Sequence, residues 1–322
     1  MSKVSVITPV YKTEDFLDKS LPSLTAQTLA DIELVWIDNG ASDECRRLMD
    51  KYATDKVKII RLPENIGYMG AINAGLNAAT GDYVGFCDSD DWVDTDYYEN
   101  LYKTVVSQEA DIVYCGYQYE YEKKSVKEPL RTLTLQNCRG AVLEALPAGS
   151  IWNALFKRTF IKEHNIINSS KSIYSDNTFS IPACLLAQKY ALDKASYYHY
   201  RQRDVSTIHG TTKKEKLQAT TEVISDIFSN FPLQDFSEQE MKIFVDFLFR
   251  SLPIHIIKKM PKEAKVIEKS IYFRKKLQNA HAFHNPSFFQ RLFSVSYCLN
   301  KPLVKVRFLG ISIKFKLKQR RC

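Results

Sequence analysis

Tyr83-Val84-Gly85-Phe86-Cys87-Asp88-Ser89-Asp90-Asp91 is an apolar run that stops abruptly in acid. Tyr83–Cys87 has the length and continuity of a buried strand, and three carboxylates follow it within four residues. The same grammar repeats upstream. Val4–Thr8 is a short β-branched run closed by Pro9, and Ile32–Asp38 is a second buried strand ending at the Asn39-Gly40 turn. Val57–Leu62 is a third. Between them lie helical patterns at Glu14–Gln27, with Phe16, Leu17, Leu21 and Leu24 on one face and Pro22 as an irregularity, and from about Asp43. A third helix, Tyr68–Ala79, is Ala-rich and is expected to stop at Gly81. Alternation at this spacing predicts an α/β fold, a mostly parallel sheet flanked by helices.

Ligands of an open parallel sheet gather at the carboxyl ends of its strands. Here those ends carry Pro9-Val10-Tyr11, Asp38-Asn39, Asn65 with Gly67, and Asp88–Asp91. Turn formers and polar loops explain any one of these more readily than all four. Asp88-x-Asp90 suits a hard divalent cation, Mg²⁺ or Mn²⁺, which takes oxygen ligands from one or two carboxylates plus phosphate oxygens. Alone, the same acids would equally make a solvated loop or a helix start.

Three stretches together are specific: VSVITPVYKTEDFLDKSLPSLTAQTL (4–29), IELVWIDNGASDE (32–44) and PENIGYMGAINAGLNAATGDYVGFCDSDD (63–91). In order and spacing they resemble the family 2 glycosyltransferases of GT-A fold (Rossmann-like), over roughly the first hundred residues and more patchily to Arg203. The resemblance implies an inverting transfer from a nucleotide diphosphate sugar, UDP-linked, with Mn²⁺ or Mg²⁺. The acceptor would be a glycan or a lipid-linked species in surface polysaccharide or lipopolysaccharide synthesis. It implies that Pro9 and Tyr11 shape the nucleotide pocket, and that Asp38 and Asn39 meet the base. Asn65, Gly67, Gly70 and Asn73 would lie beneath the donor. Asp88 would reach the ribose or sugar with Ser89 beside it, and Asp90, together with Asp88, the metal. The family commonly has Asp-Asp-Gly-Ser where this chain has Asp38-Asn39-Gly40-Ala41, which leaves the nucleobase open.

Further along, Tyr174-Ser175-Asp176-Asn177 matches the segment where the family places its carboxylate base, with Ser175 where Glu often stands. Asp176 is the candidate base; the other reading is a helix N-cap, which would not exclude catalysis. Ile151-Trp152-Asn153-Ala154 resembles a Trp-Asn-Lys-Leu segment, so Trp152 either stacks on an acceptor sugar or belongs to the core. Tyr198-His199-Tyr200-Arg201-Gln202-Arg203 resembles a Tyr-x-Tyr-Arg stretch, making Arg201 and Arg203 candidates to hold the diphosphate. His199 or His209 would complete a metal sphere only against the more ordinary reading of each as a surface or core histidine.

Composition bounds these readings. Of 322 residues, 45% are apolar and 25% charged, ordinary for a globular protein. The chain has no apolar run of the roughly 18–20 residues a membrane span needs, and its N-terminus does not read as a signal peptide, so a cytoplasmic location is expected. Seven scattered cysteines without C-x-x-C predict reduced thiols rather than disulfides or a zinc site. The net charge of +8 is uneven: residues 1–208 carry 23 basic and 28 acidic side chains, residues 209–322 carry 22 and 9. That divides the chain into a catalytic part, 1–208, and a helical, basic part, 209–322. The loosening pattern after Asp111 gives a strand at Asp111–Tyr119, a hairpin or lid at Gln118–Lys127, a helix at Asp176–Gln188, and strands near Tyr190–Leu192 and Tyr197–Arg201. Helices are then expected at Lys213–Asn230, Ser237–Ser251 and Pro261–Gln278, with closing strand-like runs at Leu303–Leu309 and Ile311–Leu317.

Residues 301–322 hold eight Lys or Arg and no acid. Such a tail suits an anionic membrane surface, at the inner face of the plasma membrane, or an oligomer contact; no nucleic-acid reader motif accompanies it. Two rivals remain at this level. A nucleotidyltransferase would want a Gly-rich basic loop after the first strand, which Pro9-Val10-Tyr11-Lys12 is not. A degenerate scaffold or membrane-binding subunit would be favoured by Asn39, Ser175 and Ala154, and disfavoured by Asp88, Asp90 and Asp176.

Overall fold

The computed structural model describes residues 2–133, 140–146, 149–166, 173–203 and 211–230, short pieces between 236 and 248, and the backbone of three strands between 294 and 316. Two compact units divide the chain, the first holding residues 1–231 and 237–260, the second 232–236 and 261–322.

The first unit begins with β1 (Val4–Val10), α1 (Glu14–Thr25), β2 (Ile32–Asn39), α2 (Asp43–Tyr52), β3 (Val57–Leu62), α3 (Tyr68–Ala78) and β4 (Tyr83–Phe86). β1 is buried along its whole length, as its β-branched run requires. α1 buries Leu17, Leu21 and Leu24, and keeps Glu14 and Asp15 in its first turn, where the helix dipole favours acid. Ser42 caps α2, its hydroxyl accepting from the Cys45 amide at 3.2 Å. β3-β2-β1-β4 pair in parallel, so their carboxyl ends share one edge.

α4 (Tyr97–Ser107) and β5 (Ile112–Glu120) follow, then β6 (Ser125–Glu128), α5 (Val142–Ala145), β7 (Ala154–Lys157), α6 (Arg158–Glu163), α7 (Asn177–Leu186), β8 (Tyr190–Arg201) and α8 (Lys213–Asn230). β7 runs antiparallel between β4 and β5. β8 pairs in parallel with β5 along Ile112–Glu120, so β7 and β6 share the other edge of β5. Because β7 opposes both β4 and β5, β8 points the same way as β4. Its last residues therefore arrive at the edge that carries Asp88–Asp91. The stretch from Tyr190 to Arg201 is one strand with an irregularity opposite Cys115 and Gly116, not two strands. Gln118–Lys127 forms a hairpin.

The aromatic core fixes what the site needs. Phe179 of α7 packs edge-on against Phe86 of β4 at 5.6 Å and against Phe156 of β7 at 5.2 Å. Each such buried ring stabilises by roughly 2–3 kcal/mol, and together they hold the start of α7 over the end of β4. Gly81 is not the stop of α3, which ends with Ala79 in an extended conformation. Its role is close approach: a Cβ there would lie 2.6 Å from the Ser5 nitrogen and 2.8 Å from the Val4 carbonyl carbon. Backbone cannot yield as a side-chain tip can, so Gly81→Ala should destabilise by about 2 kcal/mol. An unchanged urea midpoint would show that β1 and β4 are less tightly joined than this packing implies.

In the second unit, β9 (Ser294–Tyr297), β10 (Leu303–Phe308) and β11 (Ile311–Lys316) form an antiparallel sheet in the order β11-β10-β9. β10 and β11 correspond to the two closing runs expected from the sequence. The helix expected at Pro261–Gln278 lies outside the described residues, and that at Ser237–Ser251 is described only in fragments.

Candidate active site

The acidic loop after β4 is held from three directions. Asp91 is fully buried; its Oδ1 accepts the Arg201 amide at 2.7 Å and its Oδ2 the Tyr198 hydroxyl at 2.9 Å. The Tyr198 oxygen in turn accepts the Asp88 amide at 3.0 Å. Ser89 is buried, its hydroxyl 2.9 Å from that of Thr13 in the β1–α1 loop. With Asp91 and Ser89 turned inward, the half-buried Asp88 and Asp90 are the acids presented at the strand end. Arg201 donates from Nε to the Asp90 carbonyl at 2.7 Å, and Arg203 pairs with the Asp90 carboxylate.

Carboxylate oxygens of Asp88, Asp90 and Asp91 all fall within 4.8 Å of one another. Like charges that close disfavour ionisation unless a cation compensates. Burial, then Asp90, push the Asp88 carboxyl up to about 7, against the hydroxyl donated by Tyr68 at 2.8 Å; the Asp176 charge adds to the rise. Asp176 comes to this edge because Phe179, one turn further along α7, packs on Phe86 two residues before Asp88. It is the N-cap of α7: its Oδ1 accepts the Asn177 amide at 3.0 Å and the Asn177 side-chain amide at 3.1 Å. Burial pushes it up to about 6 in spite of those donors.

Other predicted residues take less direct places. Pro9 pairs with Ile37 at the end of β1, and Tyr11 beyond it is exposed, hydrogen bonds to Asn65 and Lys12 holding its phenol below the usual range. Asp38 is 1% exposed at its side chain. Burial would raise it, but Arg46 Nε at 2.8 Å, the Ala41 amide at 2.8 Å and Arg61 at 3.4 Å hold it below the ordinary carboxylate range. Rather than offering a free carboxylate to a base, Asp38 braces the turn after β2. Asn39 donates to Asn65 Oδ1 at 3.1 Å and to the Gly67 carbonyl at 3.3 Å, and accepts the Ile66 amide at 3.0 Å. It thus ties the β2 end to the loop before α3. Gly67 starts α3 with φ +85°, a conformation glycine adopts without strain. Gly70 lies against Ile66 and Asn73 sits half-buried a turn later, both within α3 rather than in the loop.

Trp152 needs correction as an open sugar platform. It is 8% exposed, stacked on Tyr198 at 4.6 Å and Tyr200 at 5.2 Å, with Tyr117 edge-on at 5.0 Å. Its faces are already covered by protein rings. His199 stacks on Trp92 at 5.2 Å, with Nδ1 2.6 Å from Glu120 and Nε2 3.2 Å from Asp94, which spends both nitrogens on carboxylates other than Asp88, Asp90 and Asp91. His209 lies outside the described residues. The sequence reading missed the separate work of Asp91 and Tyr198, which only the arrival of β8 at this edge reveals.

The profile of Glycosyl transferase family 2 matches residues 5–165. The chain belongs to this family. EpsH of Bacillus subtilis strain 168, named as a glycosyltransferase, is 30% identical over 222 residues, covering 66% of this chain and 64% of that protein. Glycosyltransferase GlyA of Streptococcus pneumoniae is 40% identical over 116 residues, 36% of this chain and 17% of GlyA. The chain thus spans less than two thirds of the length of these relatives. Among solved structures, residues 1–349 of Staphylococcus aureus TarS in complex with UDP-GlcNAc match with TM-score 0.59 and 16% identity, over 98% of this chain and all of that one. The mannosyltransferase PcManGT of Pyrobaculum calidifontis, in complex with GDP-Man and Mn²⁺, matches with TM-score 0.55 and 14% identity, over 86% of this chain and 82% of that one. These likenesses establish the GT-A fold.

Proposed function

We propose that this family 2 chain is an inverting glycosyltransferase that moves a hexosyl or N-acetylhexosaminyl group from a UDP-linked donor to a glycan or lipid-linked acceptor of a bacterial surface polysaccharide. The observation that carries the reading is the packing of α7 on the end of β4: Phe179, in the first turn of the helix that Asp176 caps, lies 5.6 Å from Phe86, two residues before Asp88, so acids from distant parts of the chain come to one edge. A nucleotide sugar lying along the strand ends would place its base near Pro9, Tyr11 and the Asn39–Asn65 pair, and its diphosphate near Asp88, Asp90, Arg201 and Arg203.

Asp88 and Asp90 would hold Mn²⁺ or Mg²⁺, an all-oxygen donor set that fits either ion and whose crowded charge calls for one. A cation so held supplies charge compensation for the departing diphosphate. The residues of the chain do the rest. Arg201 and Arg203 bind diphosphate oxygens by charge-assisted hydrogen bonds. Asp176 takes the proton of the acceptor hydroxyl as its oxygen bonds to the anomeric carbon, while the bond from that carbon to the diphosphate oxygen breaks on the opposite face. Attack opposite the leaving group inverts the configuration.

Among the described residues no helix is long and apolar enough to cross a membrane. The basic segment after residue 301 supports attachment to an anionic bilayer surface, where each Lys or Arg contributes about 1 kcal/mol. The function is tested by thermal shift and nucleoside diphosphate release across UDP-, GDP- and dTDP-sugars with Mn²⁺. A UDP-sugar at a hundred times its Kd should stabilise the fold by about 3 kcal/mol. No shift with any nucleotide sugar would remove the proposal, and pyrophosphate release from a nucleoside triphosphate would put a nucleotidyltransferase in its place.

A further inference from the structure

Two arginines at the end of β8 meet the acidic loop in different ways. Arg201 is fixed at several points: its amide donates to Asp91 Oδ1 at 2.7 Å, its Nε donates to the Asp90 carbonyl at 2.7 Å, and its guanidinium carbon lies 4.7 Å from the Trp92 ring centre and 5.1 Å from that of Phe16. None of those contacts uses a carboxylate oxygen of Asp88 or Asp90, the two acids presented at the strand end. Arg203 is different. Its guanidinium pairs with the Asp90 carboxylate itself, and its carbon rests 4.8 Å from the centre of the Phe16 ring.

A divalent ion that takes Asp90 Oδ2 competes with the Arg203 guanidinium for that oxygen, and the two positive charges repel. We propose that Arg203 is an internal counter-ion for Asp90, displaced when a divalent cation binds, and that the displaced guanidinium moves to the donor diphosphate. This rests on the reading of Asp90 as a cation ligand. The Phe16 ring supplies a surface on which the planar guanidinium keeps a favourable cation–π contact as it turns. Loss of the Asp90 pair weakens binding of the cation alone, whereas a diphosphate gives Arg203 a new anionic partner. Cation and nucleoside diphosphate therefore bind cooperatively, each raising the affinity for the other by the same factor. The arrangement also keeps the acids partly neutralised before either ligand arrives.

The test titrates Mn²⁺ into the full chain by electron paramagnetic resonance, without nucleotide and with UDP. Arg203→Gln should bind Mn²⁺ alone about ten-fold more tightly than the wild type and lose most of the coupling to UDP. Arg203→Lys keeps the charge, so Mn²⁺ alone should bind as in the wild type, but without the two-pronged fork its coupling to UDP should fall. Lys19→Gln removes a neighbouring charge that lies over Trp92, not on the acids, and should change neither quantity. An equal gain in Lys19→Gln would reduce the effect to general charge and overturn the proposal. Wild-type or weaker Mn²⁺ binding by Arg203→Gln, with binding abolished in Asp90→Ala, would overturn the counter-ion role and leave the metal reading standing. Failure of the wild type and Arg203→Gln alike to bind Mn²⁺ would remove the metal reading, and this inference with it. Circular dichroism melts check that each variant is folded.

Discussion

Asp176→Asn should lower sugar transfer by about a thousand-fold while leaving donor binding within a few-fold of the wild type. Asparagine keeps the shape and one oxygen, so it can still accept the Asn177 amide and cap α7; what it loses is the capacity to take a proton. A thousand-fold loss corresponds to about 4 kcal/mol of barrier. The pH profile carries a second signature. Burial pushes Asp176 up to about 6, and a base works only when deprotonated, so transfer should fall as pH drops through about 6 and level off above it. The variant should lose that limb along with its rate. Full activity in Asp176→Asn, or an acid limb that survives it, would assign the base to another group and reduce Asp176 to its capping role.

Asp90→Ala should abolish donor turnover dependent on Mn²⁺, with a loss of at least about a thousand-fold. Charge stabilisation by a bound cation amounts to several kcal/mol at the transition state, each 1.4 kcal/mol being ten-fold. The contrast with Asp91 sharpens the expectation. Asp91 is fully buried and satisfied by Tyr198 and the Arg201 amide; removing it strands two donors and should act first on folding. Asp90 is half-buried and its principal ion-pair partner is Arg203, so its removal should leave the thermal midpoint little changed while metal dependence disappears. Unchanged turnover in Asp90→Ala would remove the metal assignment.

Local pattern was enough to read the first four strands and their helices. β1, β2 and β4 are nearly continuous buried runs and β3 is a short apolar edge strand, each helix has a repeating apolar face, and parallel pairing follows from the alternation. β7 gave no such signal. Ala154–Lys157 is four residues long, and its position is set by pairs such as Gly85 with Leu155 and Val113 with Leu155, far apart in sequence. The acids were legible as a motif, but their division of labour was not. Asp88, Asp90 and Asp91 are indistinguishable by type, and only the arrival of Tyr198, 107 residues further on, turns Asp91 inward. Trp152 carried two readings that a sequence could not separate, because the rings covering it, Tyr198 and Tyr200, come from another strand. Asp38 was read as a ligand group for the same reason: Arg46 and Arg61, which occupy it, sit on α2 and β3.

The most direct measurement is anomalous diffraction from crystals of the chain grown with UDP and Mn²⁺. The ion should lie about 2 Å from a carboxylate oxygen of Asp90, bridging to diphosphate oxygens, with the Asp176 carboxylate facing the same cavity. A manganese peak away from the Asp88–Asp90 loop, or a diphosphate bound where Asp176 cannot reach a sugar attached to it, would contradict the account.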